Sequence, residues 1–130
     1  MIAWQYQTLA RGSLSRGYLA VASEQLLVAA DLLRRSPQPL YTARLAEIAA
    51  RRLLQGNDPR NAALASAAAR RFRSERALVS LGTFAREVSA TDAALAERLG
   101  SEGITEAARV VAGWDLARLG SAISDLLVAG

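Results

Sequence analysis

The chain has 130 residues, 28 of them Ala and 20 Leu, whereas Val, Ile and Thr together supply 16. That balance argues against an all-β fold, because Ala and Leu are strong helix formers and strands draw on β-branched residues. With no Cys and no His, disulfides, thiolate nucleophiles, imidazole bases and the usual zinc and haem ligands are excluded. All 16 basic residues are Arg, against 12 acidic ones, giving a net charge of +4 and a pI near 10.6. This permits an acidic partner but falls well short of a dedicated nucleic-acid binder.

A length of 130 residues suits one domain able to bury a core without staples. Glu24 and Asp31 interrupt the most apolar stretch, so no membrane span is expected. The first residues have neither a basic flank nor an apolar run, so no signal peptide is expected and the location by default is cytoplasmic.

In chain order, residues 1–12 are expected to form an N-terminal arm and residues 13–130 a helical bundle. The first helix is expected from residue 13 or 15 to 35, with Leu19, Ala22, Leu26, Ala29 and Leu33 making one apolar stripe. The turn formers Ser36, Pro37, Gln38 and Pro39 then precede a second helix, about 40–55, capped by Gly56. Asp58 as N-cap and Pro59 at the first helical position open the third segment. It runs to about residue 89, with one stripe of Leu64, Ala68 and Phe72 and another of Leu78, Leu81, Ala85 and Val88. The polar run Arg73, Ser74, Glu75, Arg76 predicts a kink or break near Ser74. Thr91 or Asp92 is expected to cap a short fourth helix reaching residue 99, and Thr105 to open a last helix reaching residue 128. The fold expected is all-α, a single-domain bundle of about five helices with mostly antiparallel neighbours.

Two constellations stand out. In the last helix Gly113, Ala117, Gly120 and Ser124 recur at steps of four, three and four, a stripe of almost no side-chain volume with Trp114 beside it. Interior Gly costs a helix about 1 kcal/mol relative to Ala, so the pattern points to a closely packed neighbour, in the same chain or in a second copy. The other constellation is Arg70, Arg71, Arg73 and Arg76, three of which share one helical edge and could contact phosphates. Arg near helix C-termini also complements the helix dipole and covers apolar surface.

The run Ile104, Thr105, Glu106, Ala107, Ala108, Arg109, then Gly113, Trp114 and Asp115, then Leu119 and Ile123, resembles the helix-turn-helix DNA-binding motif. That resemblance implies a recognition helix with Arg118, Ser121 and Ser124 as its polar readers. Residues 45–72, turning at Gly56, are similar to the helical hairpin of tetratricopeptide-type repeats, without a second copy of the repeat.

The carboxylates lack the Glu-x-x-His element of di-metal bundles, and Glu47 stands four residues before Arg51, a helical ion-pair spacing. The aromatic residues are scattered and form no stacking platform. No cofactor is expected. The leading expectation is a non-enzymatic helical module that self-associates or docks a protein partner through Gly113, Trp114, Ala117, Gly120 and Ser124. The alternative is a nucleic-acid-binding regulator using the four Arg residues.

Overall fold

A computed structural model describes residues 2–80 and 82–130. Among them are six α-helices, α1 (Ala3–Ser15), α2 (Leu19–Arg35), α3 (Pro39–Gln55), α4 (Pro59–Arg76), α5 (Gly82–Ala112) and α6 (Leu119–Ala129), and a 3₁₀ turn at Leu116–Arg118 leading into α6. The fold is the all-α bundle expected, with six helices among the described residues where about five were expected. None of the described helices is long and apolar enough to cross a membrane.

Residues 3–12 are not an arm. They belong to α1, which buries Ala3, Gln7, Ala10, Ser13 and Leu14 and packs along α2. Ser13 Oγ donates to Gln25 Oε1 at 2.8 Å across that pair, and Gln7 Nε2 donates to the Tyr41 carbonyl at 2.7 Å.

The breaks between helices have a common chemistry. Three helices end in a left-handed residue whose following N–H reaches back five positions, which satisfies carbonyls that the helix end would otherwise orphan. Gly17 does this after α1, where the Tyr18 N–H donates to the Ser13 carbonyl at 2.9 Å. Asn57 does it after α3, with the Asp58 N–H on the Leu53 carbonyl at 2.9 Å, so Asn57 takes the left-handed role expected of Gly56. Ala77 does it after α4, with the Leu78 N–H on the Arg73 carbonyl at 3.0 Å. The break expected near Ser74 thus falls three residues later and separates two full helices.

Asp58 accepts from the Asn61 N–H and Pro59 sits in the first turn of α4, as expected. Neither Thr91 nor Asp92 caps a helix. Both lie inside α5, where the Thr91 hydroxyl donates to the Glu87 carbonyl at 3.1 Å. The kink of α5 is at Gly100, with φ 70° and ψ 176°, a conformation closed to residues with a Cβ. Leu81, counted in an expected stripe, lies outside the described residues.

Helix α3 is the centre, touching each of the other five helices, and its most extensive contact is with α4, which also meets α5 and α6. Ala62, Ala63, Ala65, Ala67, Ala68 and Ala69 are all buried, so apolar methyls face several neighbours at once. On α3, Ala43, Ala46, Ala49 and Ala50 meet them across a hairpin set by the three-residue link to α4. Larger side chains, among them Leu26, Leu45, Leu53, Leu95, Leu119 and Ile123, close the core around this small-residue contact.

Ala77 is the weak point of this scheme, because a residue with a Cβ in the left-handed region costs about 1–2 kcal/mol. Replacing Ala77 by Gly is expected to raise unfolding free energy by about 1 kcal/mol, read as a higher urea midpoint at unchanged slope. An unchanged or lower midpoint would show that the turn carries no such strain.

Candidate functional site

The final helix expected over residues 105–128 is in fact interrupted. The Gly113 and Trp114 N–H groups close the end of α5 on the Val110 and Val111 carbonyls, at 3.2 and 2.9 Å. Asp115 then starts a new segment, its carboxylate accepting from the Ala117 N–H at 3.1 Å. A short acidic side chain at an N-cap satisfies donors that the new helix leaves free, and this was the signal that the spacing of small residues concealed.

The four residues of the expected stripe and the neighbouring Trp114 therefore lie on three pieces of chain. Gly113 and Trp114 form the turn, Gly113 exposed and Trp114 partly buried against the core. Ala117 is exposed on the 3₁₀ turn. Gly120 and Ser124 lie on α6, Ser124 donating to the Gly120 carbonyl at 3.0 Å. Gly120 faces α2 within this chain, where a Cβ would stand 3.9 Å from the Ala30 carbonyl, an ordinary packing distance that an Ala would also fit. Ala117 and Gly120 border one groove with Leu33, Phe72 and Arg76, while Gly120 and Ser124 border a second with Ala30, Asp31 and Asp125.

The outer face of this segment carries Ala117, Arg118, Ser121, Asp125 and Val128, all exposed. Val128 leaves 75% of its surface in solvent. Asp125 and Val128 were not among the expected site residues. Against the helix-turn-helix reading, α6 buries Leu119, Ile123 and Leu127 and offers an acidic residue in the middle of its free face, unsuited to a phosphate backbone.

The four Arg residues go to different partners, Arg71 and Arg73 inward while Arg70 and Arg76 stay exposed. Arg73 is nine-tenths buried and forks onto Glu47, its Nε and Nη2 donating to the two carboxylate oxygens at 2.9 and 2.7 Å. Arg71 donates from Nη1 to the Val111 and Trp114 carbonyls at 2.7 and 3.0 Å, capping the C-terminus of α5, and pairs with Glu75 at 3.0 Å. Arg76 lies over the Phe72 ring, 3.8 Å from its centre. Arg70 is the most exposed and stands 3.5 Å from Asp92. The structure does not gather the four into one phosphate-facing edge.

Glu47 also departs from the sequence reading, since its partner is Arg73 on α4 and not Arg51. Arg51 instead donates to Ser15 Oγ at 3.2 Å and reaches Glu87 at 4.0 Å. Glu87 takes a second, bidentate fork from Arg11, at 2.8 and 2.9 Å, which ties α1 to α5. Phe84 sits between the Arg11 and Arg44 guanidiniums, each 5.1 Å from the ring centre. At the surface, the hydrogen bond from Arg34 holds the Asp31 carboxyl below its ordinary range, with the charges of Arg35 and Arg34 adding to it. Hydrogen bonding to Arg109 does the same for Glu106.

The chain matches no protein-family model, no curated protein and no solved structure.

Removing one partner of a buried ion pair strands the other charge, at a cost of about 3–5 kcal/mol, whereas replacing both by apolar residues is often neutral. Arg73→Met alone is therefore expected to lower stability by about that amount, and Glu47→Leu with Arg73→Met to recover most of it, measured by urea unfolding. A mild effect of Arg73→Met would mean that Arg73 is free enough to serve an external ligand charge instead.

Proposed function

We propose that this chain is a non-enzymatic helical interaction module that assembles with a second copy of itself through the outer face of α6. The observation that carries the reading is the order of side chains on that face. Arg118 and Asp125, of opposite charge, stand seven residues apart with Ser121 and Ala122 midway between them. Two such helices laid antiparallel around a two-fold axis at residues 121 and 122 would set Arg118 of each copy against Asp125 of the other. Arg118, at the N-cap of α6, and Asp125, within it, are about 10 Å apart along the axis, from a rise of about 1.5 Å per residue.

The small side chains support the same arrangement. Ala117, Ser121 and Ser124 add little bulk, so two helices could approach closely, as the spacing of small residues anticipates. The same register brings Val128 of one copy towards the turn holding Gly113 and Trp114 of the other. That contact would cover an apolar side chain which α6 otherwise leaves in water. Ion pairs of this kind discriminate orientation more than they add affinity.

Light scattering behind a sizing column is expected to give a mass approaching twice 13.8 kDa as concentration rises. Arg118→Asp should raise the dimer Kd about tenfold, because two symmetry-related contacts of up to about 1 kcal/mol each turn repulsive. Asp125→Arg should do likewise, and the double exchange should restore assembly. A mass that stays at 13.8 kDa at the highest soluble concentration, or a double exchange no better than either single change, would overturn the proposal.

A further inference from the structure

A pocket of about 110 Å³ opens where the first turns of α1, α3 and α5 meet. Gln7 bonds the Tyr41 carbonyl near the start of α1 and α3, and Arg51 bonds Ser15 near their ends, so these two helices run parallel. Trp4, Tyr41 and Phe84, far apart in sequence, border the pocket together with Ile48, and Arg11 and Arg44 supply its charges. No acidic residue stands in the first turn of α1, α3 or α5 to offset the partial positive charge of those helix ends.

The charge balance is what sets this pocket apart. Glu87 serves both Arg11, in a bidentate fork, and Arg51, at 4.0 Å. Arg44 pairs with no carboxylate among the described residues. Its guanidinium lies over the rings of Tyr41 and Phe84, 5.6 and 5.1 Å from their centres. Glu47, the acidic residue of α3, is held by Arg73, and α1 has none. Three guanidiniums against one carboxylate leave a local excess of two positive charges. Both arginines of the lining stay within reach of solvent, Arg11 with 30% of its side chain exposed and Arg44 half-buried.

A phosphate monoester matches this excess, because near neutral pH it carries a charge of about −1.5 to −2 and three strong acceptor oxygens. Guanidinium forks bond such oxygens in pairs. A carboxylate brings one charge only. The volume admits a phosphoryl group and little more, so the group it is esterified to must lie at the rim, where Trp4 leaves 42% of its surface in solvent and offers a ring face for stacking.

We infer that this pocket binds the phosphoryl group of an aromatic phosphomonoester, with Arg44 and Arg11 on its oxygens and the ring of the ligand against Trp4. None of the lining comes from α6, so this assignment and the proposed assembly can fail separately. Phenyl phosphate is the probe, titrated into the ¹⁵N-labelled full chain at constant ionic strength beside inorganic phosphate and benzoate. Saturable shifts are expected for the Trp4 indole N–H and for the amides of Thr8, Arg44 and Phe84, with phenyl phosphate binding about tenfold tighter than either comparison compound.

Trp4→Ala should abolish the preference for phenyl phosphate over inorganic phosphate. Arg44→Met keeps an apolar stem on the two rings and should weaken phenyl phosphate by about tenfold or more while the amide spectrum stays folded. If Arg44→Met does not fold, Thr8→Glu, at an exposed position of the lining, supplies the missing carboxylate from within the chain and should block the phosphate. The inference is overturned if phenyl phosphate gives no saturable shifts, if inorganic phosphate or benzoate binds as tightly, or if phenyl phosphate affinity survives Arg44→Met or Thr8→Glu. A preference that persists in Trp4→Ala would overturn the placement of the ring.

Discussion

Between residues 62 and 69, helix α4 carries a single side chain larger than Ser, namely Leu64, and its close pairing with α3, the helix that touches all the others, rests on that constraint. A helix faced with methyl groups lets its neighbours come close on several sides, and α4 accordingly meets α3, α5 and α6. The cost is a thin core. Each buried Ala removes little apolar area from water, so stability depends more than usual on the bulky residues at the margins and on how helix ends are closed. The left-handed turns at Gly17, Asn57 and Ala77 do the closing.

The same scarcity of apolar volume explains how the arginines are used. Several long guanidinium side chains bridge gaps that Ala leaves open, reaching a carboxylate or a carbonyl on another element. Arg73 crosses to Glu47, Arg71 to the end of α5, Arg11 to Glu87, and Arg52 donates to the Leu19 carbonyl at 2.9 Å. Arg suits this role because its planar fork matches a carboxylate in two hydrogen bonds. The basic composition thus serves the interior and the seams between helices as well as the surface.

The sequence was legible where the chemistry is local. Pro37, Pro39 and Asp58 with Pro59 marked both ends of α3 and the start of α4, because caps and prolines act within a turn of the residue concerned. It was misleading where a period continued across a break. Gly113, Ala117, Gly120 and Ser124 keep helical spacing through a turn, and the apolar stripe from Leu19 onward hid a separate α1. Long-range pairing was illegible, since Glu47 has an Arg four residues away on its own helix and finds its partner 26 residues away. A helical wheel placed Arg70, Arg73 and Arg76 on one edge, but which part of that edge is buried depends on α3 and α5, which a wheel does not contain.

With Arg73 buried on Glu47 and Arg71 closing the end of α5, the outer face of α6 offers small residues, balanced charges and one exposed Val, the features on which the proposed assembly depends. Amide hydrogen exchange compared at dilute and concentrated protein tests that claim most directly. Assembly through α6 predicts added protection confined to residues 113–128 as concentration rises. Protection that does not change with concentration, or that grows on α1 and α2 instead, would contradict it.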